Sequence, residues 1–476
     1  MLIPVTPRPV HVAQSEVLAG LSYALDLTEG QRPGHSVRTC LIGMRIAEAF
    51  GLSSSDRSAL FYALLMKDLG CSSNAARFAA LFGHHDHAIK ADIKHIDWTR
   101  AIESFRFVVR NVAPGEFFFR RTWRLLALMA RGPEGSREVV RTRCERGADI
   151  ARMLGLAEPT VQAIRALDEH WDGQGQPYAR KGHDIPLLAR VLNLAQTVEV
   201  FFSSHGVDHA YDMAAARRGT WFDPATVDAL YAIKRHDPFW HRLSQHNDID
   251  AAMRLEPGDQ IVTVDEDRLD LFAAAFARVI DAKSPWTFQH SNGVADTAVA
   301  IARHLGYAPR EVRSLRRSAL LHDLGKLGVS NLILDKPEKL TDDEYRAMQR
   351  HTGHTAAILA RVPCFAAQSM EAAAHHEKLD GRGYHLGLTA GQISLNTRIL
   401  AVADICDALR ASRPYREGLP VERVLGIIGR EAGVSLDPLV VDALRAVLLD
   451  AAVRDPVPVP AARLDRALEE DYKQAA

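Results

Sequence analysis

A histidine and an aspartate, His322 and Asp323, stand side by side inside an apolar helical stretch of the sequence. Burying these polar groups among leucines costs several kcal/mol unless a partner compensates them. A divalent metal ion is one such partner, because neutral imidazole and carboxylate are common metal ligands. Lys326 shares their helix face and could hold an anion beside the metal. The alternative is a buried His–Asp pair with a purely structural role.

Other potential ligands are embedded in apolar helical stretches of the same half of the chain. They are His290, His351, His375, His376 and Asp404. Singly, each has a structural explanation, such as a histidine at a helix start or at a wet helix end, and His354 rivals His351. Taken together with His322 and Asp323, five histidines and two aspartates in one small region favour a site for two metal ions.

The elements that must position these residues are predicted to be helices. Apolar residues recur at i, i+3 and i+4 spacing along most of the chain, whereas alternating apolar segments are scarce. Gly51 and Gly306 each follow such a stretch, where a residue that closes a helix is expected. The sequence therefore predicts an all-α fold.

One helical pattern occurs twice in the chain. A shift of 255 residues aligns the first part of the two copies and pairs Asp26 with Asp281. A shift of 208 residues aligns the remainder and pairs Glu169 with Glu377. The repeat predicts two tandem helical domains of common ancestry.

The predicted domains differ by one long insertion. The parts are an N-terminal copy at 11–235, a linker at 236–265, a C-terminal copy at 266–452 and a Pro-rich, charged tail at 453–476. The N-terminal copy carries about 47 extra residues, the difference between the two shifts, between Cys71 and Arg143. The insertion contains His84, His85 and His87, which we interpret as part of a solvated loop because short histidine tracts are weak evidence for a metal site.

The two copies differ where the candidate ligands stand. The N-terminal copy has, in order, His35, Lys67, Asp68, Arg143, Leu167, Asp168 and Gln196 at the seven positions, and Cys71 in place of Lys326. If the histidines and aspartates served only the fold, the N-terminal copy would need them too. We therefore interpret them as a chemical site of the C-terminal copy. The N-terminal copy is then a non-catalytic module that regulates or dimerises, which makes a homodimer one expected assembly.

Composition narrows the classes of function. Of 476 residues, 47% are hydrophobic and 25% are charged, as in an ordinary soluble globular protein. A net charge of −1 argues against a nucleic-acid polymer or a membrane surface as partner. The five cysteines lack paired-ligand spacing and are interpreted as reduced thiols. Without a recognisable signal peptide or spanning helix, the chain is expected to be cytoplasmic.

Several stretches of the C-terminal copy carry a family resemblance. They are His290-Ser291, the Leu-His-Asp-Leu-Gly-Lys stretch at 321–326, His351, the His-His-Glu-Lys-Leu-Asp-Gly-Arg-Gly-Tyr stretch at 375–384, the stretch at 398–404 and Arg413-Pro-Tyr-Arg416. With these motifs the C-terminal copy resembles the HD-GYP family, a branch of the HD-domain metal-dependent phosphohydrolases. The N-terminal copy looks like a degenerate member of the same superfamily.

The resemblance implies hydrolysis of cyclic di-GMP or a related cyclic dinucleotide. It also implies two divalent ions, iron or manganese, with Asp323 bridging them. The implied metal ligands are His290, His322, Asp323, His351, His375, His376 and Asp404. The ions would convert a bridging water to the hydroxide that attacks phosphorus. The implied substrate contacts are Lys326, Arg413 and Arg416 for phosphate and Tyr384 as pocket wall, with Asp323 and Lys326 as the catalytic residues.

Two positions depart from the family pattern. His385 replaces the proline that stiffens the loop after Gly-Tyr, which bears on specificity for cyclic di-GMP. Trp286 stands where some members have a glutamate ligand for a third metal, so two metals are expected. Two other functions remain open: phosphohydrolysis of another phosphoester or nucleotide, and a catalytically idle nucleotide-sensing or signalling module.

Overall fold

Helices dominate the computed structural model of the chain. The described residues are 12–113, 119, 121–125, 132–245, 249–285, 289–384, 386–411 and 417–449. Five predicted features lie outside them: Trp286, His385, Arg413, Arg416 and the tail at 453–476. Within the described ranges the only strands are β1 (Val12–Ala13) and β2 (Thr263–Val264), which pair antiparallel. The predicted all-α fold is confirmed.

The N-terminal copy is built from amphipathic helices, and side-chain caps start two of them, at Ser53 and Asp223. Its described helices are α1 (Gln14–Thr28), α2 (His35–Ala47), α3 (Ser54–Met66), α4 (Ala75–Phe82), α5 (Asp86–Ile93), α6 (Ala101–Asn111), α7 (Gly132–Met153), α8 (Glu158–Arg165), α9 (Leu187–His205), α10 (Val207–Ala216) and α11 (Pro224–Ala232). The hydroxyl of Ser53, for example, accepts the backbone N–H of Asp56 at 3.1 Å and so starts α3.

The segment predicted as a linker is packed rather than extended. It contains α12 (Pro238–Gln245), α13 (Ile249–Met253) and β2, and the side chains of Trp240 and Ala252 are buried in the core. Because β2 pairs with β1, the segment returns the chain to the start of α1 before the second copy begins.

The C-terminal copy repeats the order of helices without the insertion. Its described helices are α14 (Glu266–Asp281), α15 (His290–His304), α16 (Pro309–Leu321), α17 (Asn331–Leu334), α18 (Asp342–Leu359), α19 (Ala366–Ala373), α20 (Leu395–Arg410), α21 (Val421–Glu431) and α22 (Pro438–Leu449). Buried apolar side chains of both copies belong to one contiguous core. Each helix in the described ranges is too short or too polar to cross a bilayer.

Equivalent buried hydrogen bonds recur in the two copies. Asp26 Oδ1 accepts the Ser36 hydroxyl at 2.8 Å, and Asp281 Oδ1 accepts the Ser291 hydroxyl at 2.6 Å. Both bonds tie the end of one helix to the start of the next, so they fix the turn that presents the following histidine-bearing helix. They support the internal repeat, whereas the division into two domains stays a prediction.

The glycine after the aspartate allows a tight contact in the C-terminal copy. A Cβ on Gly325 would collide with the carbonyl oxygen of His351. The backbone N–H of Gly325 also donates to the Thr355 hydroxyl at 2.8 Å. These contacts hold a 3-10 turn, Leu324–Gly328, against α18 and bring Asp323 and His351 together. Gly70 makes the same close approach to the carbonyl of Arg143 in the N-terminal copy.

The described part of the insertion is largely helical: His84 and His85 lie in the bend between α4 and α5, as predicted, but His87 lies on α5, so the prediction of a solvated loop is wrong for the segment that follows. Phe82, Ile89, Phe107 and Val112 form a small hydrophobic cluster of their own between α4, α5 and α6. This cluster orders the segment because apolar burial offsets the entropy of a long connection. Asp86 is fully buried and contacts the C-terminal copy.

Candidate active site

The seven predicted ligands come from helices far apart in the sequence and meet at one place. His290 starts α15, His322 and Asp323 follow α16, His351 lies on α18, His375 and His376 follow α19, and Asp404 lies on α20. Their nitrogen and oxygen atoms form overlapping groups of three within 4.8 Å, each of which could hold a metal ion. The predicted proximity of all seven side chains is thus present in the structure.

Three of the histidines are oriented in the same way. Nδ1 lies 2.6 Å from the carbonyl oxygen three residues earlier in His322 and in His351, and 2.5 Å in His375. A carbonyl only accepts, so Nδ1 carries the proton and Nε2 keeps a lone pair. None of the three buried Nε2 atoms has a hydrogen-bond partner among the described residues. Such orphaned acceptors are costly, and they fit imidazoles prepared to bind a cation.

Asp323 lies between these histidines. Its Oδ1 is 3.4 Å from His351 Nε2 and 3.8 Å from His375 Nε2. Its Oδ2 is 3.3 Å from His322 Nε2 and 2.5 Å from Lys326 Nζ. Because the two oxygens face different histidines, the carboxylate has the position that a bridging ligand requires.

His290 and Asp404 form the other side of the site. His290 Nε2 lies 3.2 Å from Asp404 Oδ1 and 3.6 Å from Asp323 Oδ2. Its Nδ1 donates to Asp407 Oδ2 at 2.7 Å. Asp407 thereby fixes the ring orientation, as carboxylates often do for metal-binding histidines.

Asp407 is a site residue that the sequence reasoning missed. It lies three residues after Asp404 and therefore on the same face of α20, which is the signal that could have found it. Room for its carboxylate comes from Gly293, where a Cβ would collide with Asp407 Oδ1. The N-terminal copy has Glu199 at the equivalent position, paired with Nδ1 of His35.

An aromatic side chain covers part of the site. The ring of Tyr384 packs on that of His376, with 4.4 Å between centroids. His376 Nδ1 in turn lies 3.9 Å from Asp404 Oδ2. Tyr345, which was not predicted, packs edge-on against Tyr384 at 6.1 Å. The predicted pocket residue Tyr384 therefore stands beside the ligands.

The predicted histidine ligands fall into two classes by the direction in which their pKa is shifted. Burial lowers the pKa of His351 to about 3 and that of His376 to about 4, so both are neutral at pH 7. Burial also opposes charge on His290, but hydrogen bonds to Asp323 and Asp404 raise its pKa well above the usual value. These acidic partners stay ionised despite burial: neighbouring histidines hold the pKa of both carboxyls well below the usual range.

The equivalent place in the N-terminal copy holds cationic side chains. Lys67 Nζ lies 2.9 Å from His35 Nε2 and forms an ion pair with Asp68. Arg143 forms an ion pair with Asp168. Positive charge from the chain itself therefore compensates the carboxylates of this copy.

One further group in the N-terminal copy has the geometry of metal ligands. It consists of Glu29, Asp68 and Cys71. Glu29 is paired with Lys94 at 2.7 Å and with Lys90 at 3.4 Å. Because lysine ammonium groups already pair with the carboxylates of Glu29 and Asp68, these three residues do not need a metal ion for charge compensation.

The comparisons with known proteins point to one family. A family model described as HD domain matches residues 133–226 and 274–440, one stretch in each copy. A 3′3′-cGAMP-specific phosphodiesterase of Vibrio cholerae is 42% identical over 434 residues, which cover 91% of this chain and 94% of that protein. A cyclic di-GMP phosphodiesterase response regulator of Xanthomonas campestris is 36% identical over 170 residues, covering 35% of this chain and 45% of that protein.

A solved structure is similar over nearly the whole chain. It is the crystal structure of a cyclic GMP-AMP specific phosphodiesterase from Vibrio cholerae, with a TM-score of 0.64 and 38% sequence identity. The similarity covers 92% of this chain and 98% of that one. Both copies, including the one without the ligand set, are thus shared with that protein.

Proposed function

Since this chain belongs to the HD-domain family and is a phosphodiesterase, we propose that its substrate is a cyclic dinucleotide of the 3′3′-cGAMP type. The supporting observation is the extent of similarity. The 3′3′-cGAMP-specific relative matches 91% of the chain, N-terminal copy included. Cyclic di-GMP phosphodiesterases of Xanthomonas campestris and Pseudomonas aeruginosa match 35% and 28% of it. Among the cyclic dinucleotides expected from the sequence, this favours 3′3′-cGAMP.

The seven clustered side chains are proposed to hold two divalent ions, with iron or manganese as the expected metals. One ion would lie among His290, His322 and Asp404, and the other among His351, His375 and His376, with Asp323 between them. The orphaned Nε2 atoms and the unpartnered Asp323 Oδ1 among the described residues support this assignment. When bound, such ions supply the Lewis acidity that activates water and offsets phosphate charge.

Lys326 is proposed to bind a phosphate oxygen of the substrate. Its Nζ lies 2.5 Å from Asp323 Oδ2, and 18% of the side chain is exposed, so the ammonium faces both the carboxylate and the open site. An ammonium there stabilises negative charge that develops on phosphate. Arg413 and Arg416 stay proposals for further phosphate contacts from outside the described residues.

Tyr384 is proposed to form a wall for a nucleobase. Its ring stands over His376 at the edge of the ligand cluster. Aromatic rings bind bases by stacking, at about 1–3 kcal/mol per base. The substrate would then be held by phosphate contacts on one side and by a base contact on the other.

The test measures hydrolysis of three substrates by purified protein that has been loaded with Mn²⁺ or Fe²⁺. They are 3′3′-cGAMP, cyclic di-GMP and bis(p-nitrophenyl) phosphate, and the Asp323→Ala variant serves as control. We expect the highest kcat/KM for 3′3′-cGAMP and no turnover by the variant. Equal or faster turnover of cyclic di-GMP would overturn the specificity. Turnover of bis(p-nitrophenyl) phosphate alone would favour the second candidate, a phosphodiesterase for another phosphoester.

A further inference from the structure

The N-terminal copy contains a cavity of about 140 Å³ beside its own polar centre. Its wall combines three kinds of side chain: basic (Lys94 and Arg143), aromatic (Trp98 and His170) and amide (Gln196). Nothing in the proposed catalytic reaction uses this cavity. Its chemistry therefore needs a separate explanation.

Charge in the cavity favours an anion. Three basic side chains, Lys90, Lys94 and Arg143, face two acidic ones, Glu29 and Asp168, which leaves one positive charge in excess. These ion pairs keep the basic groups in place. Lys90 Nζ also donates to the carbonyl oxygens of Thr28 and Cys71, so the N–H donors for a ligand would come from Lys94 and Arg143. Arginine and lysine so arranged are typical phosphate ligands.

Two buried polar atoms of the cavity wall point independently to a ligand. Nδ1 of His170 and Oδ1 of Asn74 are buried, and neither has a hydrogen-bond partner among the described residues. Both side chains are at least nine-tenths buried, with His170 exposed to 2% and Asn74 to 3%. Unmet acceptors and donors of this kind cost free energy until a ligand group or water meets them.

An aromatic cluster forms one part of the wall. The ring of His170 lies 4.1 Å from that of Trp221 and 4.8 Å from that of Trp98, measured between centroids. Trp98 is only half-buried, so it leaves surface for a planar ligand. Rings beside amide groups are a common way to bind a nucleobase, because stacking holds the plane and amides reach its edge.

We propose that this cavity binds a purine nucleoside monophosphate. The phosphate would lie at Lys94 and Arg143, and the base would lie against Trp98 within reach of the Gln196 amide. Trp98, Arg143 and Gln196 at the rim are each partly exposed, so the cavity opens to solvent and the nucleotide need not lie wholly inside it. This site is distinct from the metal-ligand cluster of the C-terminal copy and does not depend on which phosphodiester that cluster hydrolyses.

Helix α5 connects the cavity to the C-terminal copy. Its residue Lys90 and the adjacent Lys94 line the cavity, while Asp86 at its start is buried against the other copy. Asp86 Oδ1 accepts the Ser330 hydroxyl and the backbone N–H of Asn331, both at 2.9 Å. A ligand that repositions α5 would therefore change the contacts that Asp86 makes with the C-terminal copy.

The neighbouring residue reaches the turn that carries Lys326. His87 Nε2 lies 3.1 Å from the carbonyl oxygen of Leu327, inside the 3-10 turn Leu324–Gly328. Lys283 Nζ, which lies 3.2 Å from the same nitrogen, also lies 3.3 Å from Asp86 Oδ2. Nucleotide binding is thus coupled to the catalytic turn, and we expect it to change kcat.

Calorimetric titration tests the site with the full chain in the presence of EDTA. GMP and AMP are the probes, with guanosine and inorganic phosphate as the two halves of the ligand. We expect saturable one-to-one binding of a monophosphate by the wild type and by Asp323→Asn, and at least tenfold weaker binding of either half. Gln196→Leu and Trp98→Leu, two independent changes at half-buried positions, should each weaken binding at least tenfold.

Two results would overturn the site. One is no binding of either monophosphate at millimolar concentration. The other is binding that Asp323→Asn abolishes while Gln196→Leu and Trp98→Leu retain it, since the nucleotide would then occupy the C-terminal cluster. For the coupling, kcat at saturating substrate should change with GMP in the wild type but not in Asp86→Asn. An unchanged wild-type kcat in the GMP complex would overturn the coupling.

Discussion

The two copies place different side chains beside their buried carboxylates. In the N-terminal copy, Lys67 is paired with Asp68 inside the fold, and Arg143 is paired with Asp168 where both side chains are partly exposed. In the C-terminal copy the positions of Lys67 and Arg143 are taken by His322 and His351. These imidazoles leave their Nε2 atoms without a partner among the described residues.

This difference shows what the helical scaffold requires and what it leaves free. Both copies gather carboxylates in a buried place, and buried carboxylates need a compensating positive charge. The N-terminal copy supplies that charge from its own side chains. The C-terminal copy presents imidazoles at the positions of Lys67 and Arg143 instead, so a metal ion would complete its charge balance and couple folding stability to metal binding.

Removing the shared aspartate in each copy should give the largest contrast. Asp323→Ala takes away the ligand between the two proposed ions, and we expect kcat/KM for the best substrate to fall by about 10³-fold or more. The matched change is the double variant Lys67→Met with Asp68→Asn, which removes both members of a buried pair. Its kcat/KM should stay within a few-fold of wild type. Comparable losses from both changes would contradict the assignment of chemistry to the C-terminal copy.

Metal removal should destabilise only through the C-terminal copy. One ion at a hundred times its Kd adds about 2.7 kcal/mol to the free energy of unfolding, about a hundredfold in the equilibrium constant. We expect chelation to lower Tm in the wild type and in the Lys67→Met, Asp68→Asn double variant, as followed by thermal denaturation. Asp323→Ala should show no metal-dependent shift. If the double variant lost the metal-dependent shift in Tm, the metal would be bound in the N-terminal copy, which would contradict the assignment.

The carboxylates that orient the first histidine of each copy offer a finer comparison. Asp407→Asn weakens the hydrogen bond that orients the His290 ring, and we expect a loss of about 10–100-fold in activity or metal affinity. Glu199→Gln makes the equivalent change beside His35, where it should alter stability alone. Steady-state kinetics and metal titration of both variants separate these outcomes. Full activity in Asp407→Asn would show that the hydrogen bond to His290 is dispensable.

The two sides of the ligand cluster should differ in proton release. Hydrogen bonds to Asp323 and Asp404 outweigh burial and raise the pKa of His290 well above its usual value, so this ring holds a proton at pH 7 without metal. Burial lowers the pKa of His351 to about 3, so this ring is already neutral. Metal ligation needs neutral imidazole, and affinity at the His290 side should therefore rise with pH, by at most about tenfold per pH unit for each proton.

Calorimetry in two buffers of different ionisation enthalpy measures this release directly. We expect about one proton per chain at pH 7 for full metal loading. The number should fall as the pH is raised, because the His290 imidazolium loses its proton in the free protein. A heat of binding that does not depend on the buffer would contradict the proposed protonation of the His290 side.

The parts predicted well from sequence are those set by local residue type and by the repeat. Histidines and aspartates in apolar helices favour a metal site when they are taken together, and the mismatch with Lys67 and Arg143 showed which copy differs. The all-α fold followed from periodicity, since amphipathic helices leave a clear signal over many turns.

The parts missed depend on contacts between distant segments. Asp407 resembles any polar residue on a helix until its carboxylate is seen on His290 Nδ1 at 2.7 Å. The insertion around Asp86 is polar in composition, yet Asp86 is buried because Ser330 and Asn331 of the other copy satisfy it. No local pattern in either segment predicts a hydrogen-bond partner that lies more than a hundred residues away in the sequence.

The most direct test is to locate metal ions by anomalous scattering from crystals of the full chain grown with Mn²⁺. We expect two peaks per chain, one among His290, His322 and Asp404 and one among His351, His375 and His376. We expect none at Lys67 or Arg143. A peak in the N-terminal copy, or density for only one ion at full loading of the C-terminal cluster, would contradict this assignment.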